Sequence, residues 1–345
     1  MILALVTPYY FPSVRGNSIT VQRIESGLRD QGVEVTVFSL DRQDVGAILA
    51  ALTRARPDVI HGFHATASGP LVVEAACLLD IPSVITVTGT DVNEDLFDPV
   101  RRPRVREVLD AAQAVVVFHE TIGEKIRREA PAVCGKIRVI GQAVLCDGSP
   151  LDLRGAAGLH PGDFVFFQPA GLRRVKNIRA VIPWLAALHE RHPDLRYVLA
   201  GPVIEHDEAA HVTALLRGLP WATYLGALDH AQICGGLSAV QAVINSSLSE
   251  GGMSNAVLEA MSKGVPVLAS DIEGNRSVVA DGEDGFLFAS AAEFLAKADR
   301  LLSDPALRVA MGHRARMKIA AQFRREGEID RYLTLYRGLV AGREG

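Results

Sequence analysis

The stretch AVQAVINSSLSEGGMSNAVLEAMSKGVPVLAS, residues 239–270, packs a complete structural unit into a short span. Its opening apolar run, AVQAVINS (239–246), predicts a buried strand, and PVLAS (266–270) predicts a second. Between them lies a short helical pattern stopped by Gly264, with Pro266 just beyond. Two near-continuous apolar strands joined through a helix form a βαβ unit, the building block of a parallel sheet covered on both faces.

The same alternation runs through the rest of the chain. Upstream, the strand candidates are ILALVT (2–7), VEVTVFSL (33–40), DVIHGF (58–63), SVITVT (83–88), AVVVFH (114–119) and KIRVIGQA (136–143). A helix from about Ser18 to Gln31 carries Ile24 and Leu28 on one face and is stopped by Gly32. A composition break, CDGSPLDLRGAAGLHPGD (146–163), reads as a linker between domains. The alternation then restarts with FVFFQPA (164–170), RYVLAG (196–201), ATYLG (222–226) and, after residue 270, GFLF (285–288). The last 40 residues read as purely helical, with Ile329, Tyr332, Leu333, Leu335 and Tyr336 on an amphipathic stretch. The expected fold is therefore α/β: two Rossmann-like, doubly wound domains facing a central cleft. The expected boundaries are 1–148, a linker at 149–162, a second domain at 163–322 and a terminal helix in 323–345. In such sheets ligands sit outside the carboxyl ends of the strands, so functional residues belong in the loops after them.

Composition narrows the function classes. At 345 residues, 48% hydrophobic and 22% charged, the chain has ample material for two cores. A net charge of −4 with no basic block disfavours a nucleic-acid partner. The four cysteines, Cys77, Cys134, Cys146 and Cys234, are scattered without a CxxC pair. Three of them read as small fillers, a pattern that suits a reduced cytosol and not a disulfide framework. MILALVTPYYFP lacks a basic leader and reads as a first strand, not a signal peptide. No apolar run approaches the roughly 20 residues that span a bilayer, which leaves only peripheral membrane contact open.

The chemistry gathers in SEGGMSNAVLEA, residues 249–260, where Glu250 and Glu259 flank a turn. Gly251 and Gly252 let backbone amides approach a ligand closely, and Ser254 or Asn255 can cap the helix that follows. Amides at a helix N-terminus, aided by the helix dipole, favour a phosphate. Carboxylates accept hydrogen bonds and so suit hydroxyls on either side of it. Hydroxyl, phosphate, hydroxyl is the outline of a nucleotide sugar. An isolated acid pair is usually a solvated surface pair; here the strand before and the helix stop after favour a site.

At these residues the chain resembles the retaining glycosyltransferases of family 4 (group 1), which have the GT-B fold. The run SLSEGGMSNAVLEAMSKGVPVLAS…DGEDGFLF is similar to their acidic donor motif, with eight residues between the glutamates where seven is usual. GLRRVKN (171–177), TGTDVNED (88–95) and INSSLSEG (244–251) resemble a narrower group, the glycosyltransferase-1-domain-containing proteins. The resemblance implies that Lys176 and Arg173, preferred over Arg174, contact the donor diphosphate and stabilise the leaving group. It implies that Gly252, Met253, Ser254 and Glu259 hold the nucleotide, Glu259 through a ribose diol, while Glu250 holds sugar hydroxyls. Gly16, in RGNSIT (15–20), resembles the family's N-terminal glycine turn near donor or acceptor, although a plain turn accounts for a lone glycine. Asp91, with Thr88, stands where relatives place a sugar-contacting residue. A terminal helix crossing back to the first domain is also implied.

Asp91, Glu94 and Asp95 could attract a hard cation, but their spacing equally suits a capped acidic first turn, so no metal is expected. His61, His64 and His119 lack a third ligand of recognisable spacing and read as hydrogen-bonded or cleft-lining groups. The implied activity is retaining, metal-independent hexosyl transfer (EC 2.4) from a nucleotide diphosphate sugar, UDP-sugar favoured, to a hydroxyl-bearing acceptor. No separate cofactor is implied. The rivals are a catalytically silent nucleotide-sugar binder and a related-fold epimerase.

Overall fold

The computed structural model describes residues 1–11, 16–149 and 151–342. They divide into two compact units, Met1–Ala143 with Phe323–Gly345, and Val144–Gln322.

The first unit is a six-stranded parallel sheet built from β1 (Ile2–Thr7), β2 (Glu34–Ser39), β3 (Val59–Phe63), β4 (Ser83–Thr86), β5 (Ala114–Val117) and β6 (Ile137–Val139). Its strand order is β2-β1-β3-β4-β5-β6. The period-two rule divides β1 between two cores. Ala4 and Val6 face Ile48, Leu52 and Val72 on one side. Leu3 and Leu5 face Val21, Ile24 and Leu28 on the other, together with Ile329, Tyr332, Leu333 and Tyr336 of the terminal helix. That helix, Arg325–Ala341, belongs to the first unit. It lies so close to the helix Gly16–Asp30 that a Cβ on Gly27 would stand 2.5 Å from Ile329. A buried, two-pronged pair from Arg23 to Glu328, at 2.8 and 2.9 Å, fixes its register.

The second unit contains β7 (Phe164–Pro169), β8 (Leu195–Ala200), β9 (Ala222–Tyr224), β10 (Ala242–Asn245), β11 (Val267–Ser270) and β12 (Phe286–Phe288). They run parallel in the order β12-β11-β10-β7-β8-β9. The strand order therefore reverses between β7 and β10, which creates a crevice at their carboxyl ends. The helix Asn255–Ser262 follows β10 and is backed by the helix Pro305–Gln322. Their contact requires glycine twice: Gly264 has φ +72°, and a Cβ on Gly312 would collide with the Gly264 carbonyl.

Two expectations change. The segment taken as a linker at 149–162 is docked on the second unit: Leu153 is fully buried, and Arg154 donates to the carbonyls of Ala239 (3.0 Å) and Asp163 (3.1 Å). Its Gly/Pro-rich composition masked these two anchors. The cysteines are not all fillers either. Cys146 and Cys234, 88 residues apart in sequence, are disulfide-bonded with Cα atoms 5.4 Å apart. Cys77 and Cys134 are free and exposed. Among the described residues no helix is long and apolar enough to cross a membrane.

His61 is enclosed in the first unit, with Nδ1 2.7 Å from the Tyr336 hydroxyl and Nε2 2.6 Å from Thr86 Oγ1. Burial pushes its pKa down to about 3, so the folded ring stays neutral. The unfolded chain protonates this ring below about pH 6.5 and the native chain does not, so acid favours unfolding. Stability should fall by up to about 1.4 kcal/mol per pH unit below 6.5 from this group alone. Urea unfolding followed across that range should show a shallower pH slope in His61→Gln than in the native chain; equal slopes would refute the assignment.

Candidate functional site

The carboxyl ends of β7 and β10 carry the acidic and basic residues that the sequence singled out. After β7 the chain turns through Arg173 and a single 3₁₀ turn, Arg174–Lys176, into the helix Ile178–His189. Asn177 adopts a left-handed conformation (φ +49°) at the junction. After β10 it passes through 246–253 into the helix Asn255–Ser262. The two loops are tied together: Leu248 N–H donates to the Val175 carbonyl at 2.8 Å, and the Ser246 hydroxyl donates to the Lys176 carbonyl at 2.7 Å. Beneath them a polar chain runs from the Tyr197 hydroxyl to Gln168 (2.7 Å) and from Gln168 to Ser246 (2.8 Å).

On this platform Lys176 Nζ meets Glu250 Oε1 at 2.6 Å. Both side chains are mostly enclosed, 17% and 12% exposed. The same oxygen accepts from Ser247 Oγ (2.7 Å) and Asn245 Nδ2 (3.3 Å). Burial by itself raises the Glu250 pKa, but the Lys176 ammonium and the three hydrogen bonds outweigh it and hold the carboxyl below its ordinary value. Glu250 is thus ionised at neutral pH, and the Lys176 charge stays at the mouth of the crevice.

Ser254 caps the next helix through its backbone only. Its hydroxyl instead accepts from Asn245 Nδ2 at 2.8 Å, so it does not cover the first-turn amides of Ala256 and Val257. Gly252 is buried and Met253 half-buried in the loop that leads there. Gly274, just after β11, backs this loop: a Cβ on it would meet the Gly252 carbonyl and lie 2.8 Å from Glu250 Cβ. Glu259, one turn into the helix and 5% exposed, accepts from His230 Nε2 at 2.8 Å. Arg173 is half-buried, and among the described residues its guanidinium has no carboxylate partner. Arg174 is exposed and leans toward Glu205 at 4.0 Å.

Lys176, Glu250 and Ser254 are brought together at the switch point, with Arg173 on the same loop. Asp91 and Gly16 lie in the first unit. The Asp91 carboxylate is fully buried and accepts from four backbone amides, those of Ala65 (2.8 Å), Thr88 (3.1 Å), Gly89 (2.7 Å) and Val92 (3.1 Å). It shapes the turn after β4 and has no lone pair to spare for a sugar. Asp95 binds Thr66 (2.6 Å) and Arg101 (2.7 Å), so this acid cluster is spent on structure. His64 Nε2 contacts Thr90 Oγ1 at 2.7 Å, and His119 is buried at the start of the helix Glu120–Glu129, against Thr121. Gly16 opens the helix Gly16–Asp30; Arg15, beside it in the motif, lies outside the described residues.

Comparison with known proteins now decides the family. Residues 163–304 match the profile described as glycosyl transferases group 1, and 40–143 match the glycosyl transferase 4-like domain. A glycosyltransferase 1 domain-containing protein 1 from Xenopus tropicalis is 30% identical over 262 residues, covering 74% of this chain and 76% of that protein. The chain belongs to the group 1 glycosyltransferases. It is an enzyme of the hexosyltransferase class. The putative glycosyltransferase EpsD of Bacillus subtilis is 32% identical over 202 residues, 54% of this chain and 50% of that one. Among solved structures, a sucrose-phosphate synthase from Thermosynechococcus elongatus superposes with TM-score 0.83 at 20% identity, covering 99% of both chains. Anabaena Alr3699/HepE, in complex with UDP and glucose, gives 0.82 at 17% identity over 98% of this chain and 100% of that one. The fold of this glycosyltransferase is GT-B.

Sequence reasoning found the charged members and Ser254 and missed several neutral partners. Asn245 and Ser247 lie in the INSSLSEG motif without a role assigned to either, and Gly274 and His230 stood outside every motif. A capping box at Asp229 and Gln232, legible as D-x-x-Q before an apolar run, was the available clue that His230 is held rigidly.

The Lys176–Glu250 pair yields a stability prediction. Lys176→Ala leaves an enclosed carboxylate without its cation and should cost about 1–3 kcal/mol. Adding Glu250→Gln should recover much of that loss. Denaturant midpoints of the two single variants and the double variant measure the coupling, and strictly additive effects would contradict it.

Proposed function

We propose that this glycosyltransferase moves a sugar, with retention at the anomeric carbon, from a nucleotide diphosphate sugar to a hydroxyl-bearing acceptor. The observation that carries the reading is the Lys176–Glu250 pair at the β7/β10 switch point, beside the N-terminus of the helix Asn255–Ser262, which the Ser254 hydroxyl does not cap. Breaking the bond between sugar and diphosphate builds negative charge on the leaving oxygen. Lys176, Arg173 and the amides at the start of Asn255–Ser262 supply fixed positive potential for it. Glu250, kept ionised, offers acceptor capacity to sugar hydroxyls, and Glu259 offers the same to a ribose diol.

No covalent nucleophile and no catalytic metal enter this scheme, since cations and amides already serve the leaving group. Acceptor orientation supplies the remainder of the barrier reduction. The UDP and glucose bound by Anabaena HepE, a protein of the same fold, support a UDP-sugar as donor. Asp91 acts here by shaping the β4 loop, and a cytoplasmic site of action completes the reading.

A thermal-shift screen against UDP-, GDP- and ADP-sugars should single out one donor, because a ligand bound at a hundred times its Kd stabilises by about 2.7 kcal/mol. With that donor, Lys176→Ala should lower kcat roughly 100-fold or more while binding persists. Unchanged turnover in that variant would overturn the site, and tight donor binding with no turnover in the native chain would favour a silent binder. Glu259→Ala should weaken donor affinity about tenfold in calorimetry, with no effect on affinity counting against the ribose role.

A further inference from the structure

The disulfide of the second unit is not an isolated staple. His230 is the first residue of the helix His230–Gly236, held by the reciprocal bonds of Asp229 and Gln232 (2.7 and 3.0 Å). Cys234 follows one turn later, on the same face. Its sulfur stands 3.6 Å from His230 Nε2, and that nitrogen stands 2.8 Å from Glu259 Oε1. One donor atom from each of His230, Cys234 and Glu259 lies within 4.8 Å of the others. Cys146, bonded to Cys234, brings a second sulfur to the same point. The segment carrying it is fixed: Ser149 N–H donates to the Ala231 carbonyl at 3.1 Å, and Gly148 lies flush against Gly235.

A staple needs only two sulfurs. It has no use for an imidazole and a buried carboxylate converging on one of them. We infer that in the reduced chain Cys146, Cys234, His230 and Glu259 form a four-coordinate site for a thiophilic divalent cation of the zinc class.

The chemistry of the donor set fits. Metal–sulfur bonds of about 2.3 Å and metal–nitrogen bonds of about 2.0 Å in a tetrahedron place neighbouring donors about 3.5 Å apart. The His230–Cys234 separation of 3.6 Å already matches this. Cys146, Cys234 and Glu259 are 9%, 2% and 5% exposed and the His230 side chain 19%, so the donor set is largely enclosed, as in a structural site. An external dithiol opens the disulfide by exchange: it is oxidised to its own disulfide as Cys146 and Cys234 become thiols. Binding then releases the two thiol protons as both sulfurs coordinate as thiolates, while the imidazole binds neutral. The same four residues thus make a covalent clamp in an oxidising setting and a metal clamp in a reducing one. Either way the linker-like segment stays attached to the helix His230–Gly236.

Cobalt(II) serves as the probe, added to the full chain reduced with a phosphine. The expected result is one cobalt per chain, with a thiolate-to-cobalt charge-transfer band and the visible bands of a tetrahedral ion, bleached on adding zinc. Cys146→Ser and Cys234→Ser should each abolish the charge-transfer signature or cut it to a single-thiolate level, and His230→Ala should weaken affinity at least tenfold. The oxidised native chain, of identical sequence, should take up none. A reduced native chain without the thiolate band would overturn the proposal, as would equal uptake by the oxidised chain or by the Cys146→Ser/Cys234→Ser double variant. Glu259 faces the site through Oε1, the oxygen beside His230, which leaves Oε2 for the ribose diol, and cobalt uptake is read without donor, so its outcome is separate from that role.

Discussion

The second unit depends on keeping a carboxylate ionised in an enclosed place. Glu250 sits at the point where the strand order reverses, and removing its charge from water costs several kcal/mol unless that charge is matched. Lys176 matches it from the neighbouring loop, and Ser247 and Asn245 complete its hydrogen bonding. Everything nearby holds those partners in reach. Asn245 spans both functions, donating to Glu250 and Ser254 while its own carbonyl oxygen accepts from Ser247 N–H (3.2 Å) and Asn275 (3.3 Å). The Tyr197–Gln168–Ser246 chain fixes the loop height from below. A site so determined is preorganised, which is what stabilising a developing charge requires.

The two units put similar strand ends to different uses. At the carboxyl ends of the first sheet, polar side chains are turned inward: Asp91 onto four backbone amides, His61 between Tyr336 and Thr86. Those groups define loops and anchor the terminal helix. At the carboxyl ends of the second sheet, charge is paired but left near the surface of the crevice. An acid saturated by amides shapes backbone, whereas Glu250, paired with Lys176, sets fixed charge beside the crevice.

Much of this was legible in the sequence because it is periodic or punctuated. Apolar runs with β-branched residues located the strands, and Gly264 with Pro266 marked the end of the helix after the acidic loop. Lys176, Glu250 and Glu259 stood out because charges are rare at such positions. The residues that escaped are those whose role is set by partners distant in the chain. Asn245 and Asn275 are 30 residues apart, and Cys146 and Cys234 are 88 apart. No local pattern encodes such pairings. Asp91 misled for a related reason: a carboxylate in a Gly-Thr-Asp turn looks available until the amide of Ala65, 26 residues upstream, is placed against it.

The two glutamates of the acidic loop look equivalent on paper and are not. Glu250 is paired with the Lys176 ammonium at 2.6 Å. Glu259 faces an imidazole, which can donate a hydrogen bond while neutral and adds a full ion pair only when protonated. Gly274 packs against the loop between them: the Gly252 carbonyl occupies the space where any other residue at 274 would place a Cβ, and Glu250 Cβ lies 2.8 Å from the same point. A side chain at 274 would press on the Gly252 carbonyl and on Glu250 together, so glycine there keeps the acid in register with Lys176.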